Sequence, residues 1–121
     1  ACPEWADPDF HDRLMVQVSH LPQLVSNALA LALESAGVAP ADLGPGGRDM
    51  TRLAASSPGV WADLIEHTAT DAAKLLREMG SQVGELAARL EAGDVEAVSE
   101  LMVRTRGWIT GPSDPAGRTS P

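Results

Sequence analysis

A chain of 121 residues is long enough to bury one core and too short for two domains. Its apolar fraction of 44% is ordinary, but only three Trp and one Phe are aromatic, and the rest is mostly Ala, Leu and Val, of which Ala and Leu are the strongest helix formers. A net charge of −8 argues against nucleic-acid binding, which needs a basic face to displace counterions from phosphates.

Asp7 followed by Pro8 reads as a helix start, with a carboxylate to cap free N–H groups and a proline suited to the first helical position. From Phe10 the apolar residues Leu14, Val18, Leu21, Leu24, Val25, Ala28, Leu29 and Ala32 recur at spacings of three and four. This predicts one long helix to Ala36, kinked at Pro22 and ended by Gly37. "VAPADLGPGG" is a loop by its Pro and Gly content, and "GGRDMTRLAASS" a short helix entered from two glycines. Ser57-Pro58 repeats the cap-then-proline signal. Val60, Trp61, Leu64, Ile65, Thr68, Ala72, Leu75, Leu76 and Met79 then trace a second long stripe, which Val83, Leu86, Ala87 and Leu90 carry past Gly80 and Gly84 to Gly93. Asp94 caps a last helix through Arg106, so residues 1–106 form the helical domain and residues 107–121 a polar, disordered tail.

The pattern predicts an all-α bundle of about four helices, two long, one short and one C-terminal, intertwined as a homodimer. The two long Ala/Leu stripes offer more apolar face than one chain with few aromatics can cover. The single cysteine, Cys2, closes no internal disulfide, and no Cys/His array has zinc-ligand spacing. The longest apolar run, residues 28–33, is far too short to cross a bilayer, so no membrane partner and a cytoplasmic location are expected.

Two places carry candidate chemistry. His20 lies two residues before Pro22 inside an apolar run, and the proline leaves the Val18 carbonyl, four residues back, without its donor. The plain reading is a hydrogen-bonded histidine at a kink; the functional reading is a ligand site at a point where polar groups gather. His11 and Asp12 fall in the capping region, His67 on a solvated face beside Glu66 and Asp71, and Trp5 and Trp108 near the chain ends. Trp61, in phase with Leu64 and Ile65, reads as core or interface. In "GPGGRDMTR", Gly46 and Gly47 precede a helix whose N-terminus favours anions, and Arg48 and Arg52, four apart, share a face from which guanidinium groups can grip a carboxylate or phosphate. The plain alternative pairs Arg48 with a nearby Asp and leaves Arg52 solvated or tying helices together.

The pattern "HDRLMVQVSHLPQLVSNALA", followed by "GPGGRDMTRLAASSPGVWADLIEHT", resembles the C-terminal helical domain of prephenate and arogenate dehydrogenases, over roughly Asp7 to Arg106. The resemblance implies a dimerising all-α domain that closes a substrate cleft against a separate dinucleotide-binding domain. It also implies oxidative decarboxylation of prephenate or arogenate in tyrosine biosynthesis, with hydride passed to NAD or NADP. Arg52 is similar to the family arginine that holds a substrate carboxylate; Ser19 and His20 fall in the helix segment lining the cleft, with Arg48 beside the anion site. Gln23 stands where many prephenate-specific members carry a second histidine, which leaves keto acid or amino acid as the substrate.

No strand followed by G-x-G-x-x-G occurs, so no cofactor is expected on this chain and no redox activity from it alone. The opening "ACPEW", without an initiator Met, fits the helical portion of a longer dehydrogenase. The alternative is a stand-alone relative that uses the pocket for lyase, isomerase or cyclase chemistry on a carboxylated substrate; a third reading is a structural dimer module.

Overall fold

The computed structural model describes residues 8–111, so Cys2, Trp5, the Asp7 cap and the expected tail past Gly111 lie outside the described residues. The chain divides into two compact units, residues 1–78 and 79–121.

In the first unit, α1 (Pro8–Met15) passes through a π turn (Val16–His20) directly into α2 (Leu21–Ser35). The expected kink at Pro22 is instead this widened turn, just before the proline. The Leu21 N–H reaches back five residues to the Val16 carbonyl. Pro22 has no N–H to offer, and in α geometry its ring would meet the Val18 carbonyl; one wider turn moves that carbonyl aside without ending the helix. Gly37 ends α2 at φ +82°. Its N–H donates to Glu34 O at 3.0 Å and that of Val38 to Leu33 O at 3.0 Å, the paired bonds of a left-handed helix stop.

A 3₁₀ turn (Pro40–Asp42) follows, closed by the Ala39 N–H on Asp42 Oδ2 at 2.9 Å. Then come α3 (Pro45–Thr51) and a second 3₁₀ turn (Arg52–Ala55). The helix starts at Pro45, so Gly46 and Gly47 lie inside its first turn rather than before it, and Arg52 lies past its C-terminal end.

The second long stripe is two helices, α4 (Pro58–Glu66) and α5 (Ala69–Glu91), broken at residues 67–68. There the Thr68 N–H bonds Ile65 O at 3.0 Å, a tightened step three residues back. Gly80 and Gly84 do not interrupt α5.

In the second unit the rest of α5 turns at Gly93, φ +73°, into α6 (Val95–Thr110), which continues past the expected end at Arg106. The Gly93 N–H donates to Leu90 O at 3.1 Å and the Asp94 N–H to Arg89 O at 2.9 Å, while the Asp94 carboxylate accepts from Ala97 N at 3.0 Å. With α1, the π turn and α2 taken as one rod, the described residues form five helices and no strand, one helix more than expected.

Burial is inverted relative to an ordinary core. Among the described residues only Val16 and Ala72 are buried apolar side chains, whereas His20, Gln23, Ser26 and Thr68 are buried and polar. Thirteen large hydrophobic residues among those described are exposed, six of them on α6: Val95, Leu101, Met102, Val103, Trp108 and Ile109.

Gly37 offers a clean test of the α2 stop, because a Cβ there would meet nothing within 4 Å. Gly37→Ala is expected to cost about 1–2 kcal/mol from the left-handed backbone alone. Urea unfolding at fixed protein concentration measures it, and an unchanged midpoint would remove the role given to this glycine.

Candidate functional site

The candidate site is built on one face of α2 and the turn that follows α3. Residues 20, 23 and 26 recur every three positions, so their side chains fall along one strip of the rod. That strip is buried, and each member finds a polar partner on another segment.

His20, 5% exposed, places Nδ1 3.0 Å from Thr68 Oγ1, and its ring meets Trp61 edge to face, with centroids 5.5 Å apart. The Thr68 hydroxyl also lies 3.4 Å from Leu64 O. No hydrogen bond to Nε2 is formed by any described residue. The histidine therefore joins the widened turn to the break between α4 and α5.

Gln23 reaches the turn that carries Arg52. Its Nε2 donates to Leu53 O at 2.7 Å and to Asn27 Oδ1 at 3.0 Å, and its Oε1 accepts from Ser56 Oγ at 3.1 Å. One step along the strip, Ser26 Oγ donates to Met50 O at 3.0 Å. These contacts explain why the strip is polar. The last carbonyls of a helix have no partner within it, and α3 ends after seven residues. Ser26 on α2 supplies a hydrogen bond to the last turn of α3, and Gln23 adds a second donor to Leu53 O, which already accepts the Ser56 N–H at 3.0 Å.

The two arginines separate. Arg48 Nε donates to Leu43 O at 3.2 Å and fastens the loop before its own helix. Arg52 is exposed on the 3₁₀ turn and forms no hydrogen bond or ion pair among the described residues. The expected help from a helix N-terminus does not reach Arg52, because it sits at the C-terminal end of α3, where the helix dipole favours the cation itself. Ser19 is half-buried in the π turn. His11, Asp12 and His67 are exposed, and Trp61 is half-buried against His20.

Gln23 and Arg52 are thus brought together through Leu53, while Arg48 is held elsewhere. Sequence reasoning missed Ser26, Ser56 and Thr68. Ser26 was open to detection, three residues beyond Gln23 on the same helical face; Ser56 and Thr68 carry no local signal.

A cleft of about 570 Å³ lies between α2 and the α3 region, lined by Asn27, Leu31, Leu43, Thr51, Ala54 and Ala55. Within the second unit, a cleft of about 620 Å³ separates α5 from α6, with Met79, Val83, Leu86, Val98 and Leu101 along it. Neither is lined by the five residues singled out from the sequence.

A family model described as prephenate dehydrogenase, dimerization domain, matches residues 7–104. The chain belongs to that family. No solved structure matches it. The match runs from the first helix into α6 and so takes in both the buried polar strip and the exposed apolar helices. For this dehydrogenase domain, the nicotinamide dinucleotide implied for a complete enzyme finds no fitting donor set among the described residues. The glycine-rich segment at residues 44–47 opens a seven-residue helix from a loop rather than from a strand. Among the described residues no cluster of three or more His, Cys, Asp or Glu is placed to hold a metal ion, and no helix is long and apolar enough to cross a membrane.

The His20–Thr68 bond is testable without touching the histidine. Thr68→Val keeps the shape and removes the hydroxyl, leaving a buried ring nitrogen unpaired; about 1–3 kcal/mol of stability should be lost, and Thr68→Ser should restore most of it. Denaturant unfolding of the three proteins decides this, and equal stability of all three would show the contact to be idle.

Proposed function

We propose that this chain is the dimerising, substrate-binding helical domain of a prephenate or arogenate dehydrogenase, acting in tyrosine biosynthesis. Arg52 holds a substrate carboxylate. The observation that carries this reading is the state of Arg52 within a chain of this family: a guanidinium left exposed and unpaired on a turn that buried side chains of α2 clamp in place. An arginine tied to a neighbouring carboxylate would be a structural brace; a free fork on a fixed base suits bidentate recognition of a carboxylate from outside.

In the proposed enzyme a nicotinamide dinucleotide, NAD or NADP, held by a separate domain supplies the hydride acceptor. The work of this chain is to bind and aim. Arg52 fixes the carboxylate and thereby the ring attached to it, and Ser19 and His20 are further lining residues, carried on the π turn.

The homodimer reading rests on the exposed apolar side chains. Each large residue buried contributes about 1.5–3 kcal/mol, and Met102, Trp108 and Ile109, at 66%, 78% and 71% exposure, leave that stabilisation unused in one chain. A second copy packed on α5 and α6 would cover these residues, in keeping with a family described as a dimerization domain.

Two outcomes are expected. Arg52→Ala should weaken prephenate binding to the full chain, followed by NMR titration, by about 2–4 kcal/mol, with Arg52→Lys recovering part of it and dimer and melting temperature unchanged. If the Ala variant instead unfolds or dissociates while the remaining folded protein binds normally, the arginine is a structural tie. Separately, light scattering at about 10 µM should report a dimer, and a Leu101→Glu variant should report a monomer. A wild-type monomer at that concentration would refute the assembly.

A further inference from the structure

From the hydrogen bonds of Gln23 we infer that this residue is a positioning residue for Arg52 and does not itself touch the bound carboxylate. The inference rests on the carboxylate-site reading above and assigns a different job to one of its members.

A side-chain amide has two N–H donors and two acceptor lone pairs. Leu53 O can only accept, so the nitrogen of Gln23 must face it, and the orientation of the amide is fixed by that neighbour. Its second N–H is spent on Asn27 Oδ1, and one lone pair of Oε1 is spent on the Ser56 hydroxyl. One buried lone pair is left. A carboxylate brings only lone pairs of its own, so Gln23, 4% exposed, has nothing to offer it.

What the amide does hold is the Arg52–Ala55 turn, at both ends. Leu53 directly follows Arg52, and Ser56 directly follows the turn. Ser26 on Met50 O adds a second clamp just before the arginine, three residues further along α2. The backbone that carries Arg52 is therefore bonded from the α2 strip on both sides of it. A guanidinium at the end of a long flexible stem gains most when its base is fixed, because less freedom is then lost on binding.

Prephenate titration of the full 121-residue chain by NMR, combined with amide hydrogen exchange of residues 53–56, tests this. Gln23→Met keeps the length without the hydrogen bonds, and Ser56→Ala loosens the same bracket without altering Gln23. Both should speed exchange in the turn and weaken prephenate binding, by about tenfold and about threefold respectively. In an Arg52→Ala background, Gln23→Met should have no further effect on affinity, since it acts through the arginine. The inference is overturned if Gln23→Met weakens binding as much without Arg52 as with it, which would make Gln23 a ligand. Faster turn exchange with unchanged affinity would overturn it too. If Gln23→Met fails to fold, Ser56→Ala carries both readouts alone. Failure of wild type to bind prephenate strikes instead at the carboxylate reading, and is seen before any Gln23 variant is made.

Discussion

Proline at position 22 is the constraint from which the first unit is built. It can neither donate a hydrogen bond nor tolerate the carbonyl four residues back, so the chain either ends its helix there or opens one turn. It opens the turn, at Val16–His20, and the helix continues to Ser35. An extra residue in a turn re-phases everything that follows, and the strip facing inward afterwards is His20, Gln23 and Ser26. A plain amphipathic helix would have put leucines there. The polar strip is then matched to what it meets: backbone carbonyls at the C-terminal end of α3 and in the turn after it, and a hydroxyl at the break between α4 and α5.

Among the described residues the interior is thus spent mostly on hydrogen bonds, and the large hydrophobic residues lie mostly outside it. Such an arrangement is a poor source of stability for a lone chain, since the net gain from a hydrogen bond is small beside that from a buried leucine. It is a good source of specificity: each donor in the strip has one acceptor, and a slip of one residue would strand all of them. Hydrogen-bonded placement inside and apolar surface outside thus fall to different parts of the sequence.

Much of the helical layout was legible in the residues. Gly37 stops a helix, Asp94 starts one, and the Ala/Leu periodicity marks the rods, because these signals are local and act within one turn. The break at residues 67–68 was not legible: no glycine or proline stands there, the apolar phase runs on through Ala72, and what makes it useful is a bond from Thr68 to a residue 48 positions away. The site divides in the same way. Pro22 announced an irregularity and His20 its neighbour, but of the three partners of Gln23 only Asn27 is local, and the other two lie 30 and 33 positions on, beyond the reach of periodicity. The position of Arg52 past the end of α3 was hidden by its apparent helical spacing from Arg48.

Asp94 closes one helix with its backbone and opens the next with its side chain, and its carboxylate also stands 3.7 Å from Arg89. No slack separates α5 from α6. Inserting or deleting a single residue between positions 91 and 95 would break the bonds that close α5 or the Asp94 cap that opens α6. A change of length at this junction would therefore cost two helix ends at once, whatever happens to the individual side chains around it.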